Sequence, residues 1–284
     1  MSKVAIVTDS TSYIPRELRE KYPITVVPQV VIWENESFED DVTITPEQFY
    51  TRLKTAKVMP STSQASVVNM HKAFSSLIDQ GYDVLGLFVS SKLSGTYQSA
   101  VLGREQLTSG KDKVEILDSE TTAMAMGFQA LTAARAALDG ASIADCKALA
   151  EKARAYTGIY LTVDTLEFLH RGGRIGGAQR FLGTALNLKP ILTVEAGRVE
   201  PVERVRTRRK ALDRVVEIVA DKCAGKSPVH MATLHANSQE DAKYMLDQIT
   251  PLVNPVETVF AAVSPAVGAN TGPGTVGLAF MAGL

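Results

Sequence analysis

The chain has 284 residues, of which 45% are hydrophobic and 21% charged, and this composition excludes disordered and fibrous classes. Its formal net charge is −1, so a nucleic acid is not expected as the main partner, because neutralising phosphates requires a basic excess. The length suits one large domain or two modest domains that share an interface.

The hydrophobic pattern predicts short strands that alternate with amphipathic helices. Strands are predicted at residues 4–8, 25–33, 84–90, 114–118, 159–163, 188–195, 198–205, 229–235, 257–263 and 275–281. Helices are predicted at residues 15–22, 45–57, 67–80, 96–107, 123–138, 143–156, 165–170, 208–222 and 238–249. Such alternation is typical of a parallel sheet with flanking helices.

The pattern changes after residue 158, where two strands flank Ala196 and Gly197 and predict a hairpin. We therefore predict an α/β protein of two domains. Residues 1–158 would form a largely parallel sheet with flanking helices, and residues 159–284 a mixed sheet. Residues 264–274, rich in Gly, Pro and Asn, are predicted to form a loop.

The sequence gives no sign of a secreted or membrane protein. No apolar run approaches the roughly 20 residues that span a bilayer, and the first residues predict a strand instead of a leader. Cys146 and Cys223 are isolated and lie in helical patterns. We expect a cytoplasmic protein whose cysteines are reduced and pack in the core.

Common catalytic and cofactor motifs are absent from the sequence. No GxxxxGK[ST], strand-following GxGxxG or GxSxG pattern occurs. Asp9 and Ser10 resemble the start of a phosphatase motif, but Thr11 stands where that motif has its second Asp. The four histidines have no metal-ligand spacing and are interpreted as packing or surface residues. We expect neither a metal nor a cofactor.

Two hydroxyl-rich loops are the main candidates for a binding site. Residues 60–64 (PSTSQ) and 90–96 (SSKLSGT) are each predicted to precede a helix, whose N-terminal N–H groups favour an anion. In an open α/β sheet, ligands collect beyond the strand ends. The alternative is that these hydroxyls only cap helices. The candidate residues are Thr62, Ser63, Ser94 and Gly95.

Six stretches of the sequence share an order and spacing with a known family. They are residues 7–11 (VTDST), 61–64 (STSQ), 90–100 (SSKLSGTYQSA), 166–175 (LEFLHRGGRI), 186–192 (LNLKPIL) and 272–274 (GPG). In these stretches, and over essentially its whole length, the sequence resembles the DegV family of bacterial fatty-acid-binding proteins.

The resemblance implies a long-chain fatty acid, such as palmitate or stearate, held between two α/β domains that carry no catalytic residues of their own. The family's carboxylate-binding hydroxyls match Thr62 and Ser94. The resemblance also implies that the bound acid is handed to a separate ATP-dependent fatty acid kinase, which converts it to an acyl phosphate.

One position departs from the family pattern. A histidine that commonly lies two residues before the Gly-Pro-Gly turn is Asn270 here. An amide forms hydrogen bonds but does not titrate. We therefore expect Asn270 to contact the carboxylate, with an affinity that depends weakly on pH between about pH 5 and 8, where a histidine would change charge.

The acyl tail needs apolar neighbours, and the partner needs a docking surface. Tail candidates, each also interpretable as ordinary core, are Met124, Met126, Phe128, Ile159, Leu161, Phe168, Phe181, Leu182 and Leu186.

Arg171 and Arg174 are predicted to dock the kinase or its nucleotide phosphates. The alternative for these and other nearby basic residues is a solvated charged face.

Two other functional classes remain open at this point. A hydrolase or transferase could act on a small acylated or phosphorylated substrate in the same crevice, with Ser94 as nucleophile, although the sequence shows no base for it. A regulatory or structural protein with an adventitious lipid pocket is the third possibility.

Overall fold

The computed structural model describes residues 3–183 and 188–284. The helices are α1 (Arg16–Lys21), α2 (Pro46–Leu53), α3 (Val67–Asp79), α4 (Thr96–Glu105), α5 (Ala123–Leu138), α6 (Ile143–Arg154), α7 (Glu167–Arg171), α8 (Arg208–Cys223), α9 (Gln239–Val253) and α10 (Pro265–Thr271). The strands are β1 (Lys3–Asp9), β2 (Ile24–Val27), β3 (Val30–Trp33), β4 (Glu36–Glu39), β5 (Ser61–Ser63), β6 (Tyr82–Phe88), β7 (Val114–Asp118), β8 (Thr157–Thr162), β9 (Lys189–Glu195), β10 (Arg198–Val205), β11 (Val229–His235), β12 (Glu257–Ala262) and β13 (Val276–Ala282).

The described strands form three sheets. A parallel sheet has the order β2-β1-β6-β7, and a small antiparallel sheet has the order β4-β3-β5. The third sheet is mixed and has the order β10-β9-β8-β13-β11-β12. The predicted α/β class, with a parallel N-terminal sheet and a mixed C-terminal sheet, is confirmed. The division into two domains at residue 158 stays a prediction, and it falls within β8.

Two predictions in the N-terminal part were wrong. The strand predicted at residues 25–33 is two strands in different sheets, because Pro28, which has no N–H for a ladder, separates β2 from β3. The loop predicted at residues 60–64 contains β5, which pairs antiparallel with β3. Residues 61–63 are therefore held by backbone hydrogen bonds.

The predicted loop at residues 264–274 was also wrong, because it contains α10. Pro265 occupies the first turn of this helix, where its missing N–H costs no intrahelical hydrogen bond. The chain leaves the helix at Gly272, whose φ of 79° is a left-handed conformation that favours glycine. As a result Asn270 is a helical residue.

Helix α5 lies between the parallel sheet and the six-stranded sheet. Its residues 123–134 are buried on nearly every side, as expected for a helix that is apolar all round. On one side, Gly127 lets the backbone approach closely, since a Cβ there would lie 2.6 Å from the carbonyl oxygen of Ser12. On the other side, the ring of Phe128 lies 5.8 Å from that of His230 in β11.

The two faces of the six-stranded sheet have different neighbours. Side chains alternate along each strand, and one set, which includes Met231 and Leu278, packs in a core cluster with residues of α8 and α9. The opposite face belongs to a second cluster that contains residues of α5 and the parallel sheet. On that face Leu161 in β8 lies directly opposite Leu192 in β9.

Two leucines of α5 provide a matched test of its structural role. Leu131 is fully buried, whereas Leu138 near the end of the helix is 60% exposed. Leu131→Ala should lower the free energy of unfolding by about 2–5 kcal/mol, because it opens a cavity in the core. Leu138→Ala should change it by less than about 1 kcal/mol. Urea unfolding of both variants measures this, and equal losses would contradict the central position of α5.

Candidate functional site

A cavity lies between the carboxyl edge of the parallel sheet and the apolar face of the six-stranded sheet. The empty space within it is about 880 Å³ when the open solvent at its mouth is included. Its apolar wall is formed by Ile159, Leu161, Leu192, Val194, Val199 and Leu234. Hydroxyl and amide side chains line the opposite side, so the cavity suits a ligand that is partly polar and largely apolar.

Most of the residues singled out from the sequence meet at this cavity. Those that line it are Thr62, Ser63, Ser94, Arg174 and Asn270. Gly95 is the residue that precedes α4 and lies next to Ser94. Arg171 is exposed, outside the cavity lining, and its guanidinium forms an ion pair of 2.6 Å with Glu167.

Thr62 is presented by a strand and contacts Asn270 from α10. Its hydroxyl accepts a hydrogen bond of 3.3 Å from Asn270 Nδ2, which also donates to the carbonyl oxygen of Ala266 at 3.0 Å. The expectation that Thr62 lies at a helix N-terminus was wrong, and so was its alternative role as a cap. Ser66 caps α3 instead, accepting a hydrogen bond of 3.0 Å from the amide of Asn69.

Ser94 does precede a helix, as predicted. Its hydroxyl lies 2.9 Å from that of Thr96, and it accepts a hydrogen bond of 3.3 Å from the Thr96 amide. The Thr96 hydroxyl in turn accepts a hydrogen bond of 3.3 Å from the amide of Ala65. This network joins the segment that carries Ser94 to Ala65, three residues after Thr62, and both Thr62 and Ser94 line the cavity.

Arg174 brings a positive charge to the same place. Its Nε donates a hydrogen bond of 3.0 Å to the carbonyl oxygen of Leu93, the residue before Ser94. No carboxylate of residues 3–183 or 188–284 forms an ion pair with it. The sequence pattern had placed Arg174 with Arg171 on a docking surface. The direction of the Arg174 side chain depends on the turn at Gly173, whose φ is 71°. The spacing of residues in the sequence does not give that direction.

Asp9 organises the strand ends beneath the cavity. Its carboxylate accepts hydrogen bonds from the Thr11 hydroxyl at 2.6 Å and from the Val89 amide at 2.8 Å. Burial raises the pKa of this carboxyl, while these hydrogen bonds act in the opposite direction. Asp9 therefore ties the end of β1 to that of β6, and both Thr11 and Val89 line the cavity.

Asp40 links the N-terminal part of the chain to α10, and no sequence motif predicts this role. Its fully buried carboxylate accepts a hydrogen bond of 2.6 Å from the Ser10 hydroxyl and one of 3.0 Å from the Ala266 amide. Burial raises the pKa of Asp40 to about 6, against the effect of these two bonds. Because Ala266 also accepts from Asn270, Asp40 helps to fix the helix that carries Asn270.

The tail candidates divide into four groups. Ile159 and Leu161 line the cavity. Three residues of α5, Met124, Met126 and Phe128, are fully buried in the core and do not line the cavity, which agrees with their alternative interpretation as core. Two further candidates, Phe168 and Leu182, are absent from the wall. Phe181, also absent, lies under the guanidinium of Arg204, and Leu186 is outside the described residues.

Within the described ranges, no group of three or more His, Cys, Asp or Glu side chains could hold a metal ion. Across the same ranges, no helix has the length and apolar character needed to cross a bilayer. Cys146 and Cys223 are buried free thiols, in agreement with the packing role predicted for them.

The fold and cavity define a class of α/β proteins with a ligand site between two sheets, and comparison with known proteins identifies the family. A family model described as uncharacterised protein, DegV family, matches residues 3–283. A DegV domain-containing protein of Streptomyces coelicolor is 37% identical over 277 residues, which cover 97% of each chain. The chain belongs to the DegV family.

Two solved structures are similar over almost the whole chain. A DegV family protein from Thermus thermophilus, described by its fatty acid binding, has a TM-score of 0.92 and 32% identity, with 99% of both chains covered. DegV of Bacillus subtilis, described as a fatty acid binding protein, has a TM-score of 0.90 and 31% identity, with 99% of this chain and all of that chain covered.

Asp40 should make stability depend on pH. Because its pKa is raised from 3.8 to about 6, the folded state holds more protons than the unfolded state between these values. Stability from this group therefore falls as pH rises from about 4 to about 6 and is constant above. The difference in unfolding free energy between the wild type and Asp40→Asn should fall by up to about 3 kcal/mol from pH 4 to pH 7. Urea unfolding at both values measures it, and a constant difference would contradict the raised pKa.

Proposed function

We propose that the protein binds a long-chain fatty acid in this cavity. The carboxylate lies at Thr62, Ser94 and Asn270, and the tail lies along the apolar wall. The observation that carries the proposal is that a single cavity joins this hydroxyl cluster to the apolar face of the six-stranded sheet. The description of two close structural relatives as fatty-acid-binding proteins supports it.

The polar end of the cavity fits a carboxylate. The Thr62 hydroxyl accepts from Asn270, which leaves its own proton free to donate to a ligand. The Ser94 hydroxyl is held by Thr96 at the start of α4, whose N-terminus adds partial positive charge. The Arg174 guanidinium adds a full positive charge beside Ser94. These groups together offset the cost of removing a carboxylate from water.

We also propose that the bound acid is presented to a separate fatty acid kinase in the cytoplasm. No His, Asp or Glu belongs to the described cavity lining, which agrees with a phosphorylation step whose acid–base groups come from another protein. Arg171 is exposed and suits a docking role, whereas Arg174 belongs to the cavity. Arg171→Glu should then reduce acyl-phosphate formation by kinase and ATP without changing fatty-acid affinity.

The alternative proposal is a hydrolase or transferase with Ser94 as nucleophile. A serine nucleophile needs an adjacent base, but the recorded partners of the Ser94 hydroxyl are the hydroxyl and amide of Thr96. The described cavity lining offers no carboxylate or imidazole to replace them. Ester hydrolysis by the purified protein without a kinase would favour this alternative.

Native mass spectrometry of the purified protein tests the carrier, which should retain a bound C16–C18 acid. In binding assays, Thr62→Val and Ser94→Ala should each weaken palmitate binding by roughly 10- to 150-fold, because each removes a hydrogen bond to a charged group. Binding of hexadecanol, which has the tail but no carboxylate, is the control and should change little. Unchanged palmitate affinity in both variants would contradict the proposed head-group site.

Asn270→His should introduce a pH dependence stronger than the weak one expected of the wild type. A histidine with the usual pKa of about 6.5 is charged below that value and attracts the carboxylate, so the affinity of the variant should fall as pH rises from 5.5 to 8. Palmitate titrations of both proteins at several pH values measure the effect. Asp40 is present in both, so the difference isolates position 270. Parallel curves would show that this side chain is distant from the carboxylate.

A further inference from the structure

Ser90 joins the segment that carries Ser94 to the opposite part of the molecule. This residue follows β6 and is fully buried. Its hydroxyl donates a hydrogen bond of 2.8 Å to the carbonyl oxygen of Gly197, in the turn between β9 and β10. The same hydroxyl accepts a hydrogen bond of 3.2 Å from the amide of Lys92. Both hydrogen-bonding functions of the hydroxyl are therefore used.

The backbone of Ser90 fixes the position of Ser94. Its carbonyl oxygen accepts hydrogen bonds from the amides of Leu93 at 2.9 Å and Ser94 at 3.0 Å. Its own amide donates to the carbonyl oxygen of Thr121 at 2.9 Å, which anchors it beside the start of α5. A shift of Ser90 would therefore move Ser94 with it.

The hairpin side of this contact is equally specific. Ala196 and Gly197 form a two-residue turn with φ values of 46° and 77°. A Cβ on Gly197 would lie 2.4 Å from the Ser90 hydroxyl oxygen, so the close contact requires glycine. Lys92 Nζ adds a hydrogen bond of 2.8 Å to the carbonyl oxygen of Ala196. Val194 and Val199, just outside the turn, belong to the apolar wall of the cavity.

We propose that Ser90 is a positioning residue for Ser94. Its hydrogen bond to the β9–β10 turn holds the loop, and the loop places the Ser94 hydroxyl against the ligand carboxylate. The inference rests on the proposed function and deepens it. Ser90 does not contact the ligand, because its hydroxyl is occupied by Gly197 and Lys92. Its effect on affinity passes through Ser94, whose loop is held in place by the hydrogen bond from Ser90 to Gly197.

A double-mutant cycle tests the link to Ser94. Ser90→Ala should weaken palmitate binding about tenfold, since the loop loses a buried hydrogen bond. In the Ser94→Ala background the same change should have little further effect, because coupled residues are not additive. Hexadecanol binding should stay unchanged. Ser91→Ala is the matched control, because it removes an exposed neighbouring hydroxyl with no hydrogen bond recorded in the described structure.

Amide hydrogen exchange without ligand provides a second readout. Residues 91–95 should exchange faster in Ser90→Ala and in Lys92→Met, a milder change at an exposed side chain, and not in Ser91→Ala. Unchanged exchange, equal losses of palmitate affinity in both backgrounds, or an equal loss for hexadecanol would each overturn the positioning role. If the wild type does not bind palmitate, the proposed function fails. The exchange result still shows whether the Ser90–Gly197 hydrogen bond holds residues 91–95 in place.

Discussion

The burial of α5 between two sheets is the constraint on which the rest of the structure depends. The helix is apolar on nearly every side, so it must be covered by both the parallel sheet and the six-stranded sheet. It holds the sheets apart along its length, and the cavity opens where the helix begins. Thr122 and Ala123 at that end line the cavity, and Ala123 has a left-handed φ of 55°. The cavity is therefore a consequence of how α5 fills the core between the two sheets.

Much of the fold could be predicted because most elements carry a strong local pattern. The predicted range of α5, residues 123–138, agrees with the structure, as does the hairpin around Ala196 and Gly197. The failures were short segments whose structure depends on distant partners. Residues 61–63 are small and polar and favour a strand only because β3 offers an edge to pair with. Helix α10 was not predicted, because its segment is rich in Gly, Pro and Asn, which favour loops.

Several residues that line the candidate site could be predicted from the sequence, but their arrangement in space could not. The two hydroxyl-rich segments could be singled out because hydroxyls in polar segments suit an anion, and the family resemblance gave the choice of Thr62 and Ser94 and the ligand class. The role of Asp40 could not be found, since a single buried carboxylate bonded to Ala266, 226 positions away, leaves no pattern in the sequence. Arg174 was singled out as a docking residue, which stays a prediction, and its position on the cavity lining could not be predicted because it follows the turn at Gly173.

The proposed head-group site is assembled from a strand, a helix start and a second helix, and its contact between Thr62 and Asn270 spans 208 positions of the chain. An unfolded chain has no such site, so a ligand that binds there acts only on the native state. By mass action, a ligand at 100 times its dissociation constant would stabilise the native state by about 2.7 kcal/mol. For the proposed carrier, the supply of free fatty acid would then control how much of the protein survives heat and proteolysis.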